Sequence, residues 1–157
     1  MNIRILVAYF TKSGASEKYA QVITNTLTAH GLSVNMYNLA QDIPNIKAYD
    51  IFILGTGVRL SMVYRRWKKI LKQKGIKNKQ LFLFLSSGMA SEEPEKAVEK
   101  FLHPLVKKYN LKPDSMVSFP GKIPEKWVKY EDSPKDKMNP ELAKKWAEKI
   151  ASQILTE

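Results

Sequence analysis

The sequence predicts a single α/β domain over residues 1–157, a three-layer sandwich in which a parallel sheet carries helices on both faces. Three observations predict it. Short apolar runs alternate with longer stretches of helical periodicity, and such alternation requires crossover connections and parallel strands. The runs are apolar at nearly every position, as strands buried on both faces must be. Three of them end in small loops rich in glycine and hydroxyl residues, the kind found where the carboxyl ends of parallel strands meet a ligand.

Five strands follow in order. The first is Ile3 to Phe10. A helix from about Ala15 to His30 places Ala20, Ile23 and Leu27 on one face, with Gly31 as its stop. The second strand is roughly Ser33 to Tyr37, followed by a polar stretch containing Pro44. The third is Tyr49 to Leu54, and Gly55-Thr56-Gly57 is expected to end it. A second helix from about Met62 to Lys74 buries Val63, Trp67, Ile70 and Leu71, and Gly75 stops it. The fourth strand is Leu81 to Leu85, followed by Ser86-Ser87-Gly88. Ser91 is expected to cap the next helix, with Glu92, Glu93 and Glu95 in its positive first turn. Ala97, Phe101, Leu105 and Tyr109 keep helical spacing through Pro104, which should kink or break the helix. The fifth strand is about Ser115 to Phe119. Asn139-Pro140 opens the last helix, with Leu142, Trp146, Ile150 and Ile154 on its buried face.

Composition narrows the chemistry. A chain of 157 residues can bury a real core, and 44% hydrophobic content is ordinary for a globular domain. The absence of cysteine removes disulfides, thiolate nucleophiles and Cys-ligated clusters. His30 and His103 lack metal-ligand spacing and are expected at the surface. Ile3 to Phe10 is short, holds Arg4 and runs into a polar loop, so it does not read as a signal peptide. No apolar stretch approaches a membrane span, and the expected location is cytoplasmic. The net charge is +11, and Arg65, Arg66, Lys68, Lys69, Lys72, Lys74, Lys77 and Lys79 fall in one segment without an acid. That segment reads either as a solvated face or as a docking surface for an acidic protein, an anionic membrane or nucleic acid. No nucleic-acid reading motif accompanies it.

The residues that carry chemistry begin at Thr11-Lys12-Ser13-Gly14-Ala15-Ser16, directly between a strand and a helix. The first turn of a helix has backbone N–H groups without intrahelical acceptors, and its dipole is positive there. Thr11, Ser13 and Ser16 add hydroxyl donors, and Gly14 lets the backbone approach a ligand. A phosphate is the ligand this arrangement suits. Ser13 or Ser16 acting only as an N-cap is the competing reading. Two further loops share the character of the first: Thr56-Gly57-Val58-Arg59-Leu60 and Ser86-Ser87-Gly88-Met89. A phospho-acceptor receiver domain of the same fold type would need aspartates where Thr11 and Thr56 stand.

On these residues the chain resembles the flavodoxin family. Thr11 to Ser16 is similar to that family's Ser/Thr-x-Thr-Gly-x-Thr loop, which holds the phosphate of FMN. The resemblance implies a five-stranded sheet of order 2-1-3-4-5 and a non-covalently bound FMN. It assigns Thr11, Lys12, Ser13, Gly14, Ala15 and Ser16 to the phosphate. Thr56, Gly57, Val58, Arg59, Ser86, Ser87 and Gly88 go to the isoalloxazine ring. The flavin then carries the redox chemistry. Gly57 becomes a candidate tuner, since a glycine peptide reorients at low cost and its carbonyl can meet the reduced ring; a tight turn is the other reading of this glycine. Arg59 becomes a second tuner if it points inward, where its charge would favour the anionic reduced ring; pointing outward, it extends the basic face.

A narrower resemblance is to flavodoxin-domain proteins of the menaquinone-dependent protoporphyrinogen dehydrogenase type. It rests on Gly55 to Leu60, the aromatic and basic helix after it, and the loop Pro120 to Tyr130. It implies a substrate or quinone site involving Trp127 and Tyr130, which otherwise only pack the long loop Pro120 to Met138 onto the domain. The chain lacks the long apolar-basic insertion expected for membrane docking. Three functions therefore stand: an FMN electron carrier with a redox partner on segment 65–79, a flavin enzyme with its own substrate, and a flavin-free binding module using the basic face.

Overall fold

Alternation on the strands sets the architecture. In the computed structural model, which describes residues 2–59, 62–121 and 137–157, with Arg59 through its backbone only, six strands form the sheet. They are β1 (Arg4–Phe10), β2 (Ser33–Asn38), β3 (Ile51–Arg59), β4 (Met62–Val63), β5 (Gln80–Ser87) and β6 (Ser115–Pro120). The order is β2-β1-β3-β5-β6, all parallel, with β4 pairing antiparallel to the end of β3. Without β4 this is the expected 2-1-3-4-5 order.

The helices are α1 (Ala15–Ala29), α2 (Arg65–Leu71), α3 (Pro94–Ala97), α4 (His103–Lys108) and α5 (Pro140–Thr156). Ile5, Val7, Tyr9, Ile51, Ile53, Phe82 and Phe84 face α1 and α5, where they meet Tyr19, Ile23, Trp146 and Ile150. The alternate residues Leu6, Ala8, Phe52, Leu54, Leu81, Leu83 and Leu85 face Trp67, Ile70, Phe101 and Leu105 on the other side. Strands covered on both faces need apolar residues at every position, which is why these runs were legible.

Several boundaries differ from expectation. β3 continues through Gly55-Thr56-Gly57 to Arg59, because Thr56 and Gly57 are held in the ladder by Leu85 and Ser86, and Val58 and Arg59 by Val63 and Met62. Met62 and Val63 therefore belong to a hairpin strand, and α2 starts only at Arg65. Ser86 and Ser87 finish β5 rather than forming a loop. Ser91 is not a helix cap; its hydroxyl donates to Gly88 O at 2.8 Å within a short 3₁₀ turn, and α3 starts at Pro94, whose fixed φ suits a first helical position. Pro104 does not end the helical run. A π-helical stretch, Val98–Leu102, widens the helix just before it and joins α3 to α4, as π-bulges do where a proline cannot donate. Leu142 is 41% exposed and lies off the buried face of α5. His30 and His103 are both exposed, as expected. Gly31, with φ of 84°, closes α1 and lets Leu32 N–H donate back to Leu27 O at 3.3 Å.

Candidate functional site

The site is built where α1 begins. β1 delivers Phe10, and the chain turns through Thr11 to Gly14. The Thr11 hydroxyl oxygen accepts the Gly14 N–H at 2.9 Å, and the Ser13 hydroxyl oxygen accepts the Ala15 N–H at 3.3 Å. Gly14 itself is the N-cap, in the left-handed region at φ 91°, and its carbonyl accepts Lys18 N–H at 3.1 Å. Neither Ser13 nor Ser16 is thus the N-cap residue. Ser13 caps from one position upstream, and Ser16 is inside the helix and fully buried. A hydroxyl that accepts an N–H keeps its own proton to donate. Thr11 and Ser13 therefore shape the loop and can still bind an anion.

Ser16 connects this loop to β5. Its hydroxyl shares a hydrogen bond with that of Ser86 at 2.8 Å, across 70 residues of sequence and out of contact with water. Gly57 completes the group. A Cβ placed on it would lie 3.6 Å from the Tyr64 ring, 3.7 Å from the Ser86 hydroxyl and 3.9 Å from that of Ser16. The ends of β1, β3 and β5 thus converge on one spot, at the switch in strand order between β1 and β3, where ligands of open α/β sheets bind. Tyr64 packs edge-on against Phe10 with centroids 5.0 Å apart, and Lys12 Nζ lies 5.5 Å from the Phe10 ring centre.

The other expected residues divide by exposure. Gly57 and Val58 are half-buried and Gly88 is exposed, so all three border solvent. Thr56, Ser86 and Ser87 are buried. Thr56 turns inward, its hydroxyl donating to Gly57 O at 3.0 Å. The Ser87 hydroxyl oxygen accepts Ala90 N–H at 3.2 Å, which fixes the turn after Gly88. Arg59 has its backbone in the hairpin with Met62. Leu60, Trp127 and Tyr130 lie outside the described residues, so of the features behind the narrower subgroup likeness only Gly55 to Arg59, Pro120, Gly121 and the helix Arg65–Leu71 are described.

Sequence reasoning missed a group of anchors beside the site. The fully buried Tyr19 hydroxyl donates to Pro120 O and accepts Asn139 N–H at 3.1 Å. Gly121 N–H donates to Ser87 O at 2.9 Å, and Lys137 N–H donates to Gly121 O at 3.3 Å. Pro120 and Gly121 on one side and Lys137 and Asn139 on the other are thereby tied to one another, to α1 and to the end of β5. Tyr19 reads locally as one more apolar position of α1; only its hydroxyl hinted at more.

Charge near the loop is shaped by Tyr9 and Glu17. The Tyr9 hydroxyl donates to Glu17 Oε1 at 3.1 Å. Burial first, then that hydrogen bond and the carboxylate charge, push the phenol up to about 12. Among the described residues no helix is long and apolar enough to cross a membrane.

Comparison with known proteins agrees with this fold. The family model described as Flavodoxin domain matches residues 6–138. No curated protein matches the sequence. Among solved structures, oxidised Flavodoxin 2 from Bacillus cereus superposes with a TM-score of 0.65 at 22% identity, covering 96% of this chain and 99% of that one. The Streptococcus pneumonia TIGR4 flavodoxin gives 0.65 at 15% identity over 96% and 99%. The rubredoxin oxygen:oxidoreductase of the anaerobe Desulfovibrio gigas gives 0.65 at 16% identity, with 98% of this chain matching 36% of that longer one. At these identities the structural likeness speaks for the fold.

Proposed function

The chain belongs to the flavodoxin domain family, whose members are flavin-binding electron-transfer proteins, and on that premise we propose that it holds FMN and passes electrons through it. One observation carries the reading: the start of α1, the half-buried Gly57 and the buried Ser16–Ser86 pair converge at the carboxyl end of the sheet.

The residues fit FMN. A phosphate would lie against the first turn of α1, held by the backbone N–H groups of Ser13 and Ser16 and by the hydroxyls of Thr11 and Ser13, the Gly14 and Ala15 N–H groups being taken by those two hydroxyl oxygens. The ring would lie against Gly57, Val58, Tyr64 and Gly88, which border solvent there. When bound, the flavin supplies the electron chemistry; no protein nucleophile is called on. The chain's own contribution is position and environment. Ser16 and Ser86 hold α1 and β5 together under the site. Thr56 holds the Gly57 carbonyl in place. Arg59, at the end of β3, is the candidate for raising the potential of the bound ring by its charge.

Titration of FMN into protein stripped of any flavin, followed by flavin fluorescence, tests the reading. Stoichiometric quenching is expected, with affinity reduced at least ~100-fold in Ser13→Asp, where a carboxylate would face the phosphate. The variant should stay folded, because an aspartate before a helix suits the dipole and can accept the Ala15 N–H as Ser13 does. Equal affinity in the two proteins would remove the phosphate from this loop.

A further inference from the structure

We propose that the face formed by α2 and the turn after it is the docking surface for a redox partner with an acidic surface, a reading that rests on the proposed flavin site beside it. Eight cations lie between Arg65 and Lys79 with no acid among them. Arg65, Arg66, Lys69, Lys72, Lys74 and Lys77 are exposed, while Trp67, Ile70 and Leu71 face the core. A helix packed through one stripe presents the opposite stripe outward, and here that stripe is cationic. The only ion pair among the described residues, Lys96 with Glu93 at 2.7 Å, lies elsewhere. Arg66 instead donates to the Ala40 and Gln41 carbonyls at 3.0 and 3.2 Å, which binds α2 to the loop after β2 and leaves its charge unneutralised.

The surface has relief. A groove of about 330 Å³ lies at the end of α2, with Leu71, Ile76 and Tyr109 among its lining and Lys72, Lys74 and Lys77 as its cations. Lys108 rests 5.5 Å from the centre of the Tyr109 ring and continues the positive charge onto α4. A partner's carboxylate side chains would meet three ammonium groups in the groove and no like charge, with apolar surface between them.

Position argues for a redox partner rather than any acidic protein. α2 starts one residue after Tyr64, whose ring is the nearest side chain to Gly57. Seven helical residues rise only ~10 Å. A protein interface of ordinary size, ~800 Å² per partner, spans that distance and reaches the Gly57 edge as well. A partner drawn to the lysines is therefore brought against the place where the ring would be exposed. The opposite face offers no such lure: α5 carries Lys144, Lys145 and Lys149 interleaved with Glu141 and Glu148.

The test compares equal charge changes on the two faces. The probe is a small, strongly acidic [2Fe–2S] ferredoxin, and binding is measured by calorimetry on FMN-free and FMN-loaded protein. The variants are Lys69→Glu/Lys72→Glu/Lys74→Glu on α2 and the turn after it, and Lys144→Glu/Lys145→Glu/Lys149→Glu on α5, all at exposed positions. The proposal expects the α2 variant to bind the probe at least ~10-fold more weakly at low salt, the α5 variant less than ~3-fold, and the difference to shrink as salt rises. Amide shifts on binding should cluster between Tyr64 and Lys77. Equal weakening by both variants, or by neither, would overturn it. So would a DNA duplex that binds the unmodified α2 face more tightly than the ferredoxin does. Because the FMN-free protein is measured too, loss of the flavin reading and loss of the docking reading give different results.

Discussion

The two halves of β3 are built to different ends. From Ile51 to Gly55 the strand is buried on both faces, and its one glycine is dictated by packing. A Cβ on Gly55 would fall 1.9 Å from the Phe84 ring, which occupies that space and meets Phe119 and Trp146 with centroids 6.1 Å away in each case. From Thr56 to Arg59 the strand rises into the site and folds back on β4. There Gly57 has nothing closer than 3.6 Å to where its Cβ would be, and no left-handed φ. Neither sterics nor backbone conformation requires that glycine. The fold uses Gly55, and Gly57 is left for the site to use.

Breaking the lower half should give the largest effect. Gly55→Ala forces the Phe84 ring out of its place, and overpacking of that severity should cost about 3 kcal/mol or more in chemical denaturation. Phe84→Leu vacates part of the space. The double variant Gly55→Ala/Phe84→Leu should therefore be more stable than Gly55→Ala alone, an interaction a double-mutant cycle measures directly. Additive losses would mean that the ring is not what excludes the methyl group.

The upper half should answer with function and little stability. Gly57→Ala adds a methyl group at ordinary contact distance and should change stability by less than ~0.5 kcal/mol. Its effect should appear in the reduction potential of the bound FMN. Thr56→Val sharpens the point, since it keeps the shape of the side chain and removes the hydroxyl that holds the Gly57 carbonyl. Losing one such bond is worth about 1 kcal/mol, or ~40 mV for a one-electron step. Spectroelectrochemistry on the three proteins reads the shifts. Unchanged potentials in both variants would return Gly57 to the role of a passive strand residue.

The same contrast explains what the sequence could show. The lower strand halves were legible because burial on two faces writes itself into every position, as in Ile51-Phe52-Ile53-Leu54. The helix at Ala15 and the loop before it were legible because their chemistry is local. The upper half of β3 was not. Gly55-Thr56-Gly57 reads as punctuation, and only pairing with Phe84, Leu85 and Ser86, fixed by the assembled sheet, keeps it extended. Ser91 lost its expected cap to Pro94, whose ring decides where the helix starts. The Ser16–Ser86 bond and the Tyr19 anchor to Pro120 and Asn139 join residues 70 to 120 positions apart, beyond any local pattern.

Tyr9 offers an effect confined to alkaline pH, silent near neutrality, and a check on the boundary between the halves. It pairs with Gly55 across β1 and β3, is only 4% exposed, and donates to Glu17. Its phenol is raised from its ordinary value near 10 to about 12. The unfolded chain therefore releases this proton at lower pH than the folded one does. The contribution is fully present below about pH 10, is lost progressively as pH rises toward 12, and declines no further beyond it. Denaturation midpoints of the wild type should fall across that window more steeply than those of Tyr9→Phe, which has no proton to lose there. Parallel slopes would mean that the Tyr9 hydroxyl titrates as freely in the folded protein as in the unfolded chain, and that the end of β1 beside Gly55 is open to water in solution.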